Sequence, residues 1–129
     1  MENWHVAATK QTPAVDFDAT THTLVITGES YPENIAEFST PLFNWLDGYL
    51  TELTEQIFTL NMELTYFNSS SSKMLLDLFA RLEDEVETQQ RHIVVNWIYV
   101  EENESALEYG EEFKEDLTRL TFNLVLKQE

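Results

Sequence analysis

Cysteine is absent from the chain. Its absence rules out disulfides, thiol nucleophiles and cysteine metal sites, and it fits a reducing compartment. Glycine and proline occur only three times each. Gly28, Gly48 and Gly110 stand far apart, so no glycine-rich loop is available to cradle a phosphate. Basic residues are also scarce, 7 against 24 acidic ones, for a net charge of -17. Such a surface repels nucleic-acid backbones and anionic membranes and favours basic or mixed partners. No hydrophobic run reaches the length of a membrane span, and MENWHVAATK has no apolar segment of signal-peptide type. The expectation is a cytoplasmic protein that binds neither nucleic acid nor membrane.

Apolar residues are plentiful. They make up 43% of the 129 residues and include eight Phe, five Tyr and three Trp. That suffices for one packed core, so residues 1–129 read as a single domain. Residues 1–12 show little pattern beyond Trp4 and Val6. Ala14–Asp18 and Thr23–Gly28 are β-rich runs around a polar turn, a hairpin signal. Asp16 and Asp18 look like the start of a calcium loop, but the glycine and closing glutamate are missing, so they read as turn residues.

Ser30 with Glu33 matches a capping box. The stripe after it, from Ile35 through Phe38, Leu42, Leu46 and Tyr49 to Leu53, has helical spacing. Pro41 interrupts it, and proline is damaging inside a helix. The expectation is a helix over 41–54, capped by Ser39 or Thr40, with a turn or kinked extension over 31–39. Residues 56–67 alternate, with Phe58, Leu60, Met62, Leu64 and Tyr66 on one side. They predict a strand with one buried face. Leu75, Leu78, Phe79, Leu82 and Val86 mark a second helix, His92–Val100 a central strand, Ala106–Leu117 a third helix and Thr121–Leu126 a last strand. The fold class is α/β: a mostly parallel or mixed sheet of about five strands with three main helices, in the order β-β-α-β-α-β-α-β.

Asn68-Ser69-Ser70-Ser71-Ser72 falls where the second half's first strand gives way to a helix. Asn68 or one of the serines can cap that helix. The same helix end offers free N–H donors and a positive dipole, so a hydroxyl there can carry a phosphate that the backbone helps to hold. Catalytic constellations are missing. His5, His22 and His92 are scattered, no serine sits in a Gly-x-Ser-x-Gly elbow, and Asp16, Asp47 and Asp77 lack a paired nucleophile. The chain does not read as an enzyme, and no cofactor or metal is expected. The acidic runs at 83–87, 101–104 and 111–116 are solvated faces.

Two segments carry a resemblance. Ser30-Tyr31-Pro32-Glu33-Asn34 resembles the SYPEN motif of SiaC-type regulatory phosphoproteins, and Tyr66-Phe67-Asn68-Ser69-Ser70-Ser71-Ser72-Lys73 resembles their Y-L-N-T-S-S-x-K segment. Thr12-Pro13-Ala14 and Glu111–Asp116 fit the same family. The resemblance implies a STAS-like fold, akin to anti-sigma-factor antagonists, and a place in a bacterial partner-switching circuit. A Ser/Thr kinase would phosphorylate, and a PP2C-type phosphatase would dephosphorylate, the hydroxyl at the start of the second main helix. The effector bound by the unmodified form would be a diguanylate cyclase or another regulator; a cyclase would link the protein to cyclic-di-GMP and biofilm formation. The implied acceptor is Ser69, with Ser70 and Ser71 as neighbours. Tyr31, Pro32, Glu33, Asn34, Asn68, Ser70 and Ser71 would belong to the partner surface. The chain departs from the family by carrying Ser at the usual Thr position, and Ser72 where an apolar residue is common. The rival reading is a constitutive acidic interaction domain whose serine run only caps a helix.

Overall fold

The computed structural model describes residues 2–128. Three short strands open the chain: β1 (Trp4–Val6), β2 (Ala14–Asp18) and β3 (Thr23–Ser30). Three crossovers follow: α1 (Ile35–Glu52) leads to β4 (Ile57–Phe67), α2 (Ser69–Gln89) to β5 (His92–Tyr99), and α3 (Glu104–Glu115) to β6 (Thr121–Leu126). The six strands form one sheet in chain order. β1, β2 and β3 pair antiparallel, and β3 to β6 run parallel. Right-handed crossovers between successive neighbours place every helix on the same face of the sheet. The alternating residues Leu24, Ile26, Phe58, Leu60, Met62, Val95 and Trp97 meet Leu42, Leu46, Leu75, Leu78 and Leu82 of the helices there, forming a single buried core. The opposite face mixes polar residues with Val25, Val94, Ile98 and Val125 and carries the in-register row Asn61, Asn96 and Asn123, joined by side-chain amide hydrogen bonds of 2.8 and 3.0 Å. One domain of mixed α/β type results.

The sheet has six strands rather than five. Trp4–Val6 is too short to show a sequence period, and it forms by pairing with β2 and by stacking Trp4 on Trp45, with ring centroids 5.0 Å apart.

The first helix also begins earlier than its proline suggests. It starts at Ile35 and carries Pro41 inside it. Neither Ser39, Thr40 nor Ser30 is its cap. Asn34 is, accepting the Ala36 N–H at 3.1 Å. Pro41 stands on the exposed side of α1, where the carbonyl left without a partner can meet water. Burial of Leu42, Leu46, Tyr49 and Leu50 along the other side offsets the lost bond.

A third difference lies at the end of β4. Gly28 pairs with Leu64, but Glu29 pairs with Tyr66, so Thr65 is an extra residue in the ladder. This bulge reverses the alternation beyond it. Phe67 turns into the core, while Tyr66, expected inside, is 55% exposed. Opposite the bulge Gly28 has φ +129°. A β-carbon there would also stand 3.3 Å from the Pro13 Cα, so both the backbone and the space call for glycine.

Candidate functional site

The parallel strands β3, β4 and β5 end on one edge of the sheet, and α1, α2 and α3 begin there. Each helix is capped by an asparagine. Asn34 accepts from Ala36, Asn68 from the Ser71 N–H at 3.0 Å, and Asn103 from the Ala106 N–H at 3.2 Å. Helix N-terminal N–H groups and dipoles therefore gather along this edge.

The serine turn is anchored to β3. The Asn68 N–H donates to the Ser30 carbonyl at 3.0 Å, and the Ser71 hydroxyl donates to the same carbonyl at 2.9 Å. The Ser30 and Ser71 hydroxyl oxygens stand 2.7 Å apart, and both residues are fully buried. The Asn68 side-chain oxygen also receives the Ser70 hydroxyl at 3.1 Å. These bonds separate the four serines. Ser71, a neighbour of the implied acceptor, is locked inside, which corrects its place on the partner surface. Ser72 is half-buried. Ser70 is exposed but engaged by Asn68. Ser69, the first residue of α2, is exposed, and among the described residues its hydroxyl has no hydrogen-bond partner. The cap is Asn68, not a serine.

The Tyr31–Asn34 segment lies beside this turn but is only partly a surface. Tyr31 is half-buried, its N–H donates to the Gln11 carbonyl at 2.8 Å, and its ring meets that of Tyr66 edge-on at 5.8 Å. Pro32 is buried, a correction to its place among the partner-facing residues. Glu33 and Asn34 are exposed and line a shallow hollow of about 490 Å³ against Thr9 and Gln11 of the N-terminal segment. On the other side of Tyr66 a cleft of about 160 Å³ runs to Asn103 and Tyr109, and the Asn103 side-chain amide holds the Thr65 carbonyl at 3.1 Å. Tyr66, the first residue of the second motif segment, thus stands between Tyr31 and α3. Periodicity placed it in the core because nothing in the run Leu64-Thr65-Tyr66 announces the bulge. Ser30 was equally hidden: its spacing to Glu33 imitates a cap, while its partner, Ser71, lies 41 positions on.

The edge offers a free hydroxyl over a positively polarised helix end, an aromatic pair beside it and no paired base. No group of three or more metal-ligating side chains occurs among the described residues. No helix among them is long and apolar enough to cross a membrane. The large acid–base perturbation lies away from the edge: burial raises the Tyr49 phenol to about 12, where its oxygen meets His22 Nδ1 at 2.6 Å beneath α1.

Comparison with known proteins covers nearly the whole chain. Residues 6–127 match the family described as SiaC family regulatory phosphoprotein. An uncharacterized protein of Pseudomonas aeruginosa (strain UCBPP-PA14) is 34% identical over 116 residues, covering 90% of each chain. The crystal structure of apo-SiaC from Pseudomonas aeruginosa superposes with a TM-score of 0.84 at 30% identity, over 99% of this chain and 100% of that one. The structure of the diguanylate cyclase SiaD in complex with its activator SiaC, from the same organism, contains a chain that matches with a TM-score of 0.87 at 31% identity, over 96% and 99%. This chain belongs to the SiaC family of regulatory phosphoproteins.

Proposed function

We propose that this protein is a non-enzymatic signalling component that regulates a downstream effector by binding it, and that reversible phosphorylation of Ser69 switches the binding. The observation that carries the reading is the sorting of the serine run. Asn68 does the capping, Ser71 ties the turn to Ser30, and Ser69 is left exposed with its hydroxyl free at the first position of α2. A Ser/Thr kinase and a PP2C-type phosphatase set the state of Ser69. The effector is a diguanylate cyclase, as SiaD is for its activator SiaC. The protein resides in the cytoplasm, where such partners meet it.

The physics of the switch is local. A phosphate adds about -1.5 to -2 charges at neutral pH. Helix formation leaves the N–H groups of Ser69 and Ser70 without intrahelical acceptors, and Lys73 lies one turn along, so the charge is accommodated without unfolding α2. An effector packed over unmodified Ser69 and the Tyr31–Tyr66 pair would instead have to bury that charge. Coupling of this kind is typically worth about 1–3 kcal/mol, or roughly 5–150-fold in affinity.

The test is peptide mass spectrometry on protein purified from its native host, with and without phosphatase treatment, followed by pull-down of a diguanylate cyclase with the Ser69→Ala and Ser69→Asp proteins. The reading expects phosphate on Ser69 and capture by Ser69→Ala but not Ser69→Asp. Phosphate on other residues alone, or equal capture by both variants, would overturn it.

A further inference from the structure

Away from the serine turn, α2 and α3 enclose a groove of about 500 Å³. Leu76, Ala80 and Leu117 line it, with Phe79 and Phe113 at its base. Leu76 is 46% exposed, a large aliphatic side chain on the solvent side of a helix whose core stripe is already filled by Leu75, Leu78, Phe79 and Leu82. Burial of the α2 core therefore does not explain Leu76.

The rim of the groove is acidic. Asp77, Asp84, Glu87 and Asp116 surround the apolar floor, and none of them is in an ion pair among the described residues. Glu83 also lines the groove, but its carboxylate is held by the backbone N–H groups of 118–120. No basic side chain takes part in the lining. From Leu76 to Glu87 the groove follows α2 for about 16 Å, three helical turns.

From this floor and rim we infer that the α2–α3 groove is a docking site for a cationic amphipathic helix of a partner protein. Three turns of an incoming helix would set apolar side chains at i, i+3, i+4 and i+7 on the Leu76–Ala80–Leu117 floor. Lysines or arginines on its flanks would meet the four unpaired carboxylates. A second copy of this chain is a poor occupant, because two acidic rims would face each other. On a helix of 3.6 residues per turn, Ser69, Lys73, Leu76, Ala80 and Glu87 share one side, so the helix face that lines the groove continues beyond it to the serine turn. The docking site does not depend on phosphate at Ser69.

Two synthetic amidated peptides of identical leucine and lysine composition test this, one with leucines at helical i, i+3, i+4, i+7 spacing and one with the order scrambled. Isothermal titration against the intact protein should show the patterned peptide binding with one-to-one stoichiometry, at least about tenfold tighter than the scrambled one. Leu76→Asp should abolish that preference even though it adds a negative charge. Glu108→Lys with Glu112→Lys, on the outer side of α3, should leave it in place. Equal binding of the two peptides, tighter binding by Leu76→Asp, or an equal loss in the α3 variant would reduce the interaction to bulk charge attraction and overturn the inference. So would a concentration-dependent dimer that Leu76→Asp disperses.

Discussion

The Ser71 hydroxyl donates to the Ser30 carbonyl at 2.9 Å while its oxygen stands 2.7 Å from the Ser30 hydroxyl. A serine hydroxyl has one hydrogen, so the Ser30 O–H must be the donor in the second contact. Ser71→Ala therefore orphans a buried donor. Ser30→Ala removes only an interaction to an oxygen that keeps its own acceptor. We expect Ser71→Ala to cost about 1–3 kcal/mol and Ser30→Ala about 0.5–1.5 kcal/mol. Urea unfolding of the two variants and of the double variant checks the order, and a Ser30 cost larger than the Ser71 cost would contradict the donor assignment.

The same geometry predicts opposite responses to an introduced acid two residues apart. Ser69→Asp puts a carboxylate at the exposed N-terminus of α2, where the dipole favours it by about 0.3–1 kcal/mol. Ser71→Asp forces a carboxylate into a fully buried site beside the Ser30 carbonyl. It should destabilise by several kcal/mol or prevent folding. Thermal melting in low salt should place Ser69→Asp at or slightly above the parent and Ser71→Asp far below it.

The difference between these two serines was not legible in their sequence, which is one run of identical residues. What the sequence does carry is local. Period two in 58–64 and the helical stripes of 75–86 and 106–117 define elements that the structure reproduces, because burial of one face enforces each period. The misread points all depend on partners distant in sequence. Pro41 is tolerated because the far side of α1 is buried against the sheet. Tyr66 is outside because β3 and β4 slip by one residue at Thr65. Ser30 and Ser71 define each other only after β3 and α2 are side by side. Inside α3 a β-carbon at Gly110 would stand 2.5 Å from Trp97 Cδ1, so the smallness of this residue is a packing requirement set by β5. At the candidate site, motif resemblance pointed to one edge of the sheet, and only the burial pattern separated Ser69 from Ser71 and Tyr31 from Pro32.

Glu83 gives a pH-dependent contribution of known sign. Its carboxylate accepts the N–H groups of Thr118, Arg119 and Leu120 at 2.9, 2.7 and 2.6 Å, closing the loop between α3 and β6 onto α2. Partial burial opposes ionisation, but the three donors, with the Arg119 charge, outweigh it and hold the carboxyl below its ordinary value. A depressed folded-state value means the stabilisation is complete above the unfolded value, about 4.3, and is lost as pH falls through the lower folded one. Glu83→Gln should cost about 1–3 kcal/mol at pH 7. The gap between parent and variant in chemical unfolding should narrow as the pH is lowered below about 4. A gap that stays constant with pH would show that the ionised carboxylate is not the source of the difference.

Tyr66 separates binding from stability. Its side chain is more than half exposed, touches Tyr31 edge-on and lines the small cleft toward Tyr109. Removing it should cost about 0.5–1 kcal/mol of stability, the worth of one exposed aromatic contact. If the effector packs against the aromatic pair beside Ser69, the cost to binding is larger. Exposed tyrosines that become buried at an interface centre are common hot spots, typically worth about 2 kcal/mol or more. Tyr66→Ala should then weaken capture of the effector about thirtyfold while leaving the midpoint of unfolding within a few degrees of the parent. Tyr109→Ala, across the small cleft from Tyr66, supplies the contrast. Its ring packs on Phe67 with centroids 4.9 Å apart, so its loss should lower stability more and effector binding less. Equal losses of binding in the two variants would move the effector's footprint from the β3–β4 edge toward α3.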